Sequence, residues 1–203
     1  MYCYHLVIPE PSILVGELME SLLMPLAVIA AAWVTYRPDA RVTCILALPF
    51  LVLAAMFTLN YDSIHLVAWY GGDELPLRYR FAATWAAREG PILLWASWMA
   101  LLSIIWRKPL SGENEQTHLL RLRLMNGFAL TLLLVAWILQ PFKPAEGIGP
   151  GLNELLQTDL MVIHPPLIFL AYSLCLTLAF IAISSILTNC DGIKDRLIHV
   201  ARP

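Results

Sequence analysis

The stretch "LMVIHPPLIFLAY", Leu160 to Tyr172, decides how the chain is read. It is apolar enough to enter lipid, yet it carries one histidine followed at once by two prolines. The residue before a proline is pushed out of the α region, so Pro165 disfavours helix at His164 and Pro166 disfavours it at Pro165. Pro166 itself suits a first helical turn, where its missing N–H loses no partner. The pattern therefore predicts a helix starting at about Pro166, with His164 held extended just outside it. A backbone stiffened this way loses little freedom on binding. A neutral imidazole beside apolar Leu160–Ile163 suits an axial ligand of haem iron. Tyr172, about two turns on, is expected near the same face. On spacing alone the plainer alternative is the stronger: an interfacial histidine hydrated by water, with prolines that only stop a helix.

The rest of the chain sets this stretch in a membrane. Of 203 residues, 59% are hydrophobic and 14% charged, with mean hydropathy +0.69. A soluble domain is closer to half apolar and a quarter charged. The formal charge of −2 argues against nucleic acid as a partner. Cys3, Cys44, Cys175 and Cys190 show no metal or redox spacing, and Cys44 and Cys175 read as small buried hydrophobes. The first basic residue is Arg37, so the basic start of a cleavable signal peptide is missing and the first apolar segment is expected to be a retained anchor.

Apolar runs long enough to cross a core of about 30 Å fall near residues 15–36, 42–61, 90–106, 122–140 and 166–188. The expected fold is an all-α polytopic membrane bundle of about five spans, forming one domain over residues 1–203. The third run is the shortest. Glu17 and Glu20 put the start of the first span at the interface. With the N-terminus outside, Arg37, Arg41, Arg107, Lys108, Arg121, Arg123, Lys194, Arg196 and Arg202 lie inside, and Arg78, Arg80, Arg88 and Lys143 outside. This asymmetry favours N-out and C-in. Two outer loops result, about 62–89 and 141–163; the second is rich in Pro and Gly and reads as irregular backbone.

The first outer loop contains "LPLRYRFAATWAAREGPILLW", Leu75–Trp95. If residues 78–89 are helical, Phe81, Trp85 and Arg88 share one stripe of a short amphipathic interfacial helix before the third span. An aromatic belt at the membrane surface accounts for this pattern. A flat anionic ligand held by arginine forks and a tryptophan face accounts for it equally well.

Together with "GLNELLQTDLMVIHPPLIFLAY", Gly151–Tyr172, that segment resembles the N-terminal part of the CcmF family, the large membrane subunit of the cytochrome c maturation haem lyase. Both matches are long and ungapped, their order and spacing fit, and the resemblance covers essentially the whole chain. It implies a protein that takes haem b from a haem chaperone at the outer membrane face. Such a protein helps join the haem vinyl groups to the CxxCH thiols of apocytochrome c. It implies membrane lipid and other haem lyase subunits as partners. The site would lie on the periplasmic side of a bacterial inner membrane or, alternatively, on the intermembrane-space side of the mitochondrial inner membrane.

The family's haem site uses two outer histidines flanking a tryptophan-rich segment. The first lies in an HPP motif, which matches His164-Pro165-Pro166, so the resemblance gives His164 the role of axial ligand to haem iron. It also places Pro165, Pro166, Tyr172, Arg80 and Trp85 in the haem environment, and Glu89 matches a common family position. Where the family reads WGAHEGS this chain reads "WAAREGP", with Ala86, Arg88 and Pro91 departing. No tryptophan-rich segment or second motif histidine occurs in these 203 residues. The expectation is a second CcmF-like chain that supplies them, with His65 the weaker internal substitute; His5 is the other outer histidine, and His118 and His199 fall inside. Small residues Ser173, Ala179, Ala182 and Ser184 are expected to admit a neighbouring helix. The competing function is a non-catalytic membrane scaffold of the same fold. A small transporter is weaker still, since no span carries a central pair of opposite charges.

Overall fold

A computed structural model describes residues 11–190; His5, His199 and Cys3 lie outside them. The described chain is an all-α polytopic bundle. Four helices are long and apolar enough to cross a membrane: Val15–Tyr36, Ala40–Thr58, Glu115–Leu139 and Asp159–Leu187. The third expected span is the 17-residue helix α7, Glu89–Ile105, shorter than the about 20 residues a span ordinarily needs.

The first span is α1 (Pro11–Leu18), a π turn (Met19–Leu23) and α2 (Met24–Tyr36) in one run. Pro25 lacks an N–H, and just before it the Met24 N–H reaches back five residues to the Met19 carbonyl. The second span joins α3 (Ala40–Thr43), a 3₁₀ turn and α4 (Leu48–Thr58). Asp39 caps α3 by accepting from the Arg41 N–H. Two short helices follow, α5 (His65–Tyr70) and α6 (Leu77–Ala83), and then α7. α8 is Glu115–Leu139 and α9 is Asp159–Leu187. α7, α8 and α9 pack against one another, and α2 packs on α8.

Several expected boundaries move. α8 starts at Glu115 rather than near residue 122, because Asn114 caps it through the Thr117 N–H at 2.8 Å. α9 starts at Asp159 rather than Pro166, capped by Thr158, and runs through both prolines. His164 is therefore helical, not extended. The interfacial helix stops at Ala83, so Arg88 does not share its stripe with Phe81. The chain reverses there because Gly90 sits against the Thr84 backbone: a Cβ on Gly90 would lie 1.6 Å from the Thr84 carbonyl oxygen. No side chain fits without moving backbone. Gly90→Ala should lower thermal stability by more than about 3 kcal/mol, read as a drop in melting temperature of the detergent-solubilised protein.

The small-residue expectation for the last helix is half right, for a different partner. Ser173 and Ser184 are fully buried, with Thr177 and Ser185, against helices of this same chain; Ala179 is exposed. Their hydroxyls donate to carbonyls one turn back, such as Thr177 to Ser173 at 2.8 Å, so the stripe is both narrow and satisfied. Cys44 and Cys175 are exposed on the bundle surface rather than buried.

Candidate functional site

Both sequence segments singled out above meet at one end of the bundle. The 59–64 loop with α5 and the 140–151 loop zip together through the backbone. His65 N–H donates to Lys143 carbonyl at 2.8 Å, Ala145 N–H to Ser63 carbonyl at 2.9 Å, and Gly149 N–H to Ala68 carbonyl at 2.9 Å. Gly149 is needed here, since a Cβ would lie 2.5 Å from the Trp69 Cα. Glu20, from the π turn, accepts from the Phe142 N–H at 3.0 Å and anchors the same loop.

The prolines in α9 have a structural consequence that spacing does not show. In a regular helix the residue 165 N–H would bond the Met161 carbonyl. Pro165 cannot donate, and that carbonyl instead accepts from the buried Trp85 indole N–H at 2.7 Å. Phe81 packs edge-on against Trp85, with centroids 5.0 Å apart, and Arg78 pairs with Asp159 at 3.1 Å. α6 and the turn after it thus hold the first two turns of α9. Trp85→Phe keeps the ring and removes the donor. It should cost about 1 kcal/mol and loosen α9 near Thr158, read as faster hydrogen exchange at residues 159–164 than in the wild type.

His164 lies on the outward face of that anchored segment. Leu160, Ile163 and Leu167 are 69, 58 and 57% exposed, and His164 is exposed between them. At spacing i, i+3, i+4, i+7 they form one stripe. α9 is also the least covered long helix: 17% of its most apolar window is buried, against 28–44% in the others. Its 29 residues span about 44 Å, more than the roughly 30 Å hydrocarbon core, and His164 sits in its second turn. Tyr172 lies further along, beside Trp95 and Phe169 at centroid distances of 6.0 and 6.1 Å.

Arg80 folds inward, donating to Leu75 carbonyl at 2.9 Å and Asp73 carbonyl at 2.6 Å. It closes the loop before α6. His65 packs beside Trp69, with ring centroids 5.5 Å apart. It lines a cavity of about 320 Å³ with Trp69, Tyr70, Arg88 and Glu89. Two buried atoms there have no partner, His65 Nδ1 and Glu89 Oε2. Glu89, in sequence a common family position, is buried, at 8% exposure. Among the described residues no group of three His, Cys, Asp or Glu side chains is arranged to hold a metal ion. A single protein histidine on an open apolar face, however, suits a planar ligand whose metal arrives already held.

Residues 85–196 match the family model described as "Cytochrome C assembly protein". The probable cytochrome c-type biogenesis protein NrfE of Escherichia coli is 32% identical over 87% of this chain and 34% of its own length. The cytochrome c-type biogenesis protein CcmF of the same organism is 34% identical over 69% of this chain and 22% of its own length. The cytochrome c-type biogenesis protein CycK of Rhizobium meliloti is 29% identical over 71% of this chain and 23% of its own length. The chain thus spans between about a fifth and a third of the length of these relatives. No solved structure matches it.

Proposed function

Because the chain belongs to the cytochrome C assembly protein family, we propose that it forms one side of a site that holds haem b while the haem is joined to apocytochrome c. The observation that carries this reading is the exposed imidazole of His164, centred on an apolar stripe and fixed in place through Trp85 and Met161. When present, haem supplies an iron that accepts an imidazole and vinyl groups that accept thiols. His164 would ligate the iron, and Leu160, Ile163 and Leu167 would lie against the porphyrin. Pro165 and Pro166 keep two helical carbonyls from pairing along the helix, and Trp85 takes one of them. The open face calls for a second surface, carrying the tryptophan-rich segment and the other axial ligand. That surface would come from another CcmF-like polypeptide or from further sequence. A haem chaperone, other haem lyase subunits and apocytochrome c are the proposed partners, at a bacterial inner membrane. His65, turned into its own cavity beside Glu89, is a poorer second ligand than a histidine brought to the α9 face.

This reading needs the loop-rich end outside the cytoplasm. Arg37, Arg41, Arg107, Lys108, Arg121 and Arg123 gather at the other end, which supports that orientation. Alkaline phosphatase fused after Gly149 should be active, and fused after Gly112 inactive. The reverse pattern would put His164 on the wrong side and end the proposal.

A further inference from the structure

At the bundle end opposite His164, we infer a binding site for the head group of an anionic phospholipid. The cavity there has a volume of about 340 Å³ and lies where the second span begins, α7 ends and α8 begins. Arg107 and Lys108 stand exposed at its rim. Its wall contains the buried hydroxyl residues Thr43 and Ser103 and the buried amide of Asn126.

The wall's chemistry narrows the ligand. Asn126 is 1% exposed. Its Nδ2 donates to the Val34 carbonyl at 3.1 Å, which fixes the amide orientation, and its Oδ1 has no partner. An acceptor is therefore left over in a cavity with a cationic rim. His118 lines the same wall, its Nδ1 3.0 Å from the Arg121 guanidinium and 3.5 Å from Glu113 Oε2. A ligand that uses all of this has a phosphate for Arg107 and Lys108, and hydroxyl or ammonium donors for Asn126 and Asp39. Phospholipid head groups combine these features, and Leu119 and Leu122 continue the wall as apolar surface. Basic pockets between spans at a membrane boundary bind such head groups.

The rim is built rather than floppy. Arg121 is fully buried and donates to the carbonyls of Trp106 at 2.8 Å and Lys108 at 3.2 Å. It is clamped to Glu113 by two further bonds of 2.8 and 2.9 Å. The loop presenting Arg107 and Lys108 is thus held from beneath, so the two cations are positioned before any ligand arrives.

The test is native mass spectrometry of the protein extracted from its membranes, with phosphatidylglycerol, phosphatidylcholine or inorganic phosphate added. Wild type should retain phosphatidylglycerol over phosphatidylcholine. Arg107→Gln with Lys108→Gln should lower that retention on the order of tenfold or more, with an unchanged melting temperature. Millimolar inorganic phosphate should not displace the lipid. Equal retention of the two lipids, or undiminished retention by the double variant, would overturn the site. Replacement of lipid by phosphate would assign the cavity to the free anion and refute the lipid.

Discussion

Replacing His164 with alanine should abolish cytochrome c maturation while leaving the chain inserted in the membrane. The side chain is exposed on the α9 surface, so its removal opens no cavity and breaks no internal bond. A core substitution would reduce protein level first; this one should not. If His164 ligates haem iron, its loss removes the bond itself, and even the outer partners of a metal ligand are worth 10–100-fold. Holocytochrome yield should therefore fall by about 100-fold or more, at constant membrane abundance of the chain. Added imidazole should restore part of it by filling the open iron position. Leu167→Ala on the same stripe should reduce yield much less, because it removes area and not a bond. Normal yield from the alanine variant would remove His164 from the mechanism.

Arg121→Met should be the most destabilising change at the other end of the bundle. It leaves Glu113 buried without its counter-charge, and breaking such a pair costs about 3–5 kcal/mol. For a chain of this size that corresponds to a drop in melting temperature of roughly 10 °C. Adding Glu113→Leu to Arg121→Met should recover part of the loss, because the stranded charge is then gone. The same pair gives a pH dependence. Burial by itself raises the Glu113 carboxyl. Hydrogen bonds from Arg121 and the Leu110 N–H, together with the charges of Arg121 and His118, outweigh burial and hold it below its ordinary range. A depressed carboxylate stabilises the fold above its unfolded value and loses that contribution as pH falls through its folded value. Wild type should therefore lose melting temperature on acidification below about pH 4.3, and Glu113→Gln should lose less over the same window. Parallel curves would show that Glu113 contributes no linkage.

Five apolar stretches and two facing loops were legible in the sequence, because hydropathy and length report burial in lipid directly. The start of α8 is also written in the sequence. Asn114 followed by Glu115 is an N-terminal signature, but the polar first turns drew the boundary toward the apolar run. Taken from the apolar run alone, Arg121 falls in a loop, whereas it is fully buried. The start of α9 was not legible in the same way. The rule that prolines end helices is local. It fails here because the carbonyl that Pro165 strands is taken up by Trp85, 76 residues away in sequence. The contacts that Trp85 and Arg80 make within the chain are not legible from sequence either. Only the folded chain shows the first supporting α9 and the second closing its own loop.

The most direct test of the central claim is the coordination of haem in the assembled complex, measured by absorption spectroscopy and redox titration of wild type and His164→Met. If His164 holds the iron, methionine ligation should change the low-spin bands and raise the reduction potential, as it does where methionine replaces one axial imidazole. A spectrum and potential identical to wild type would contradict the account.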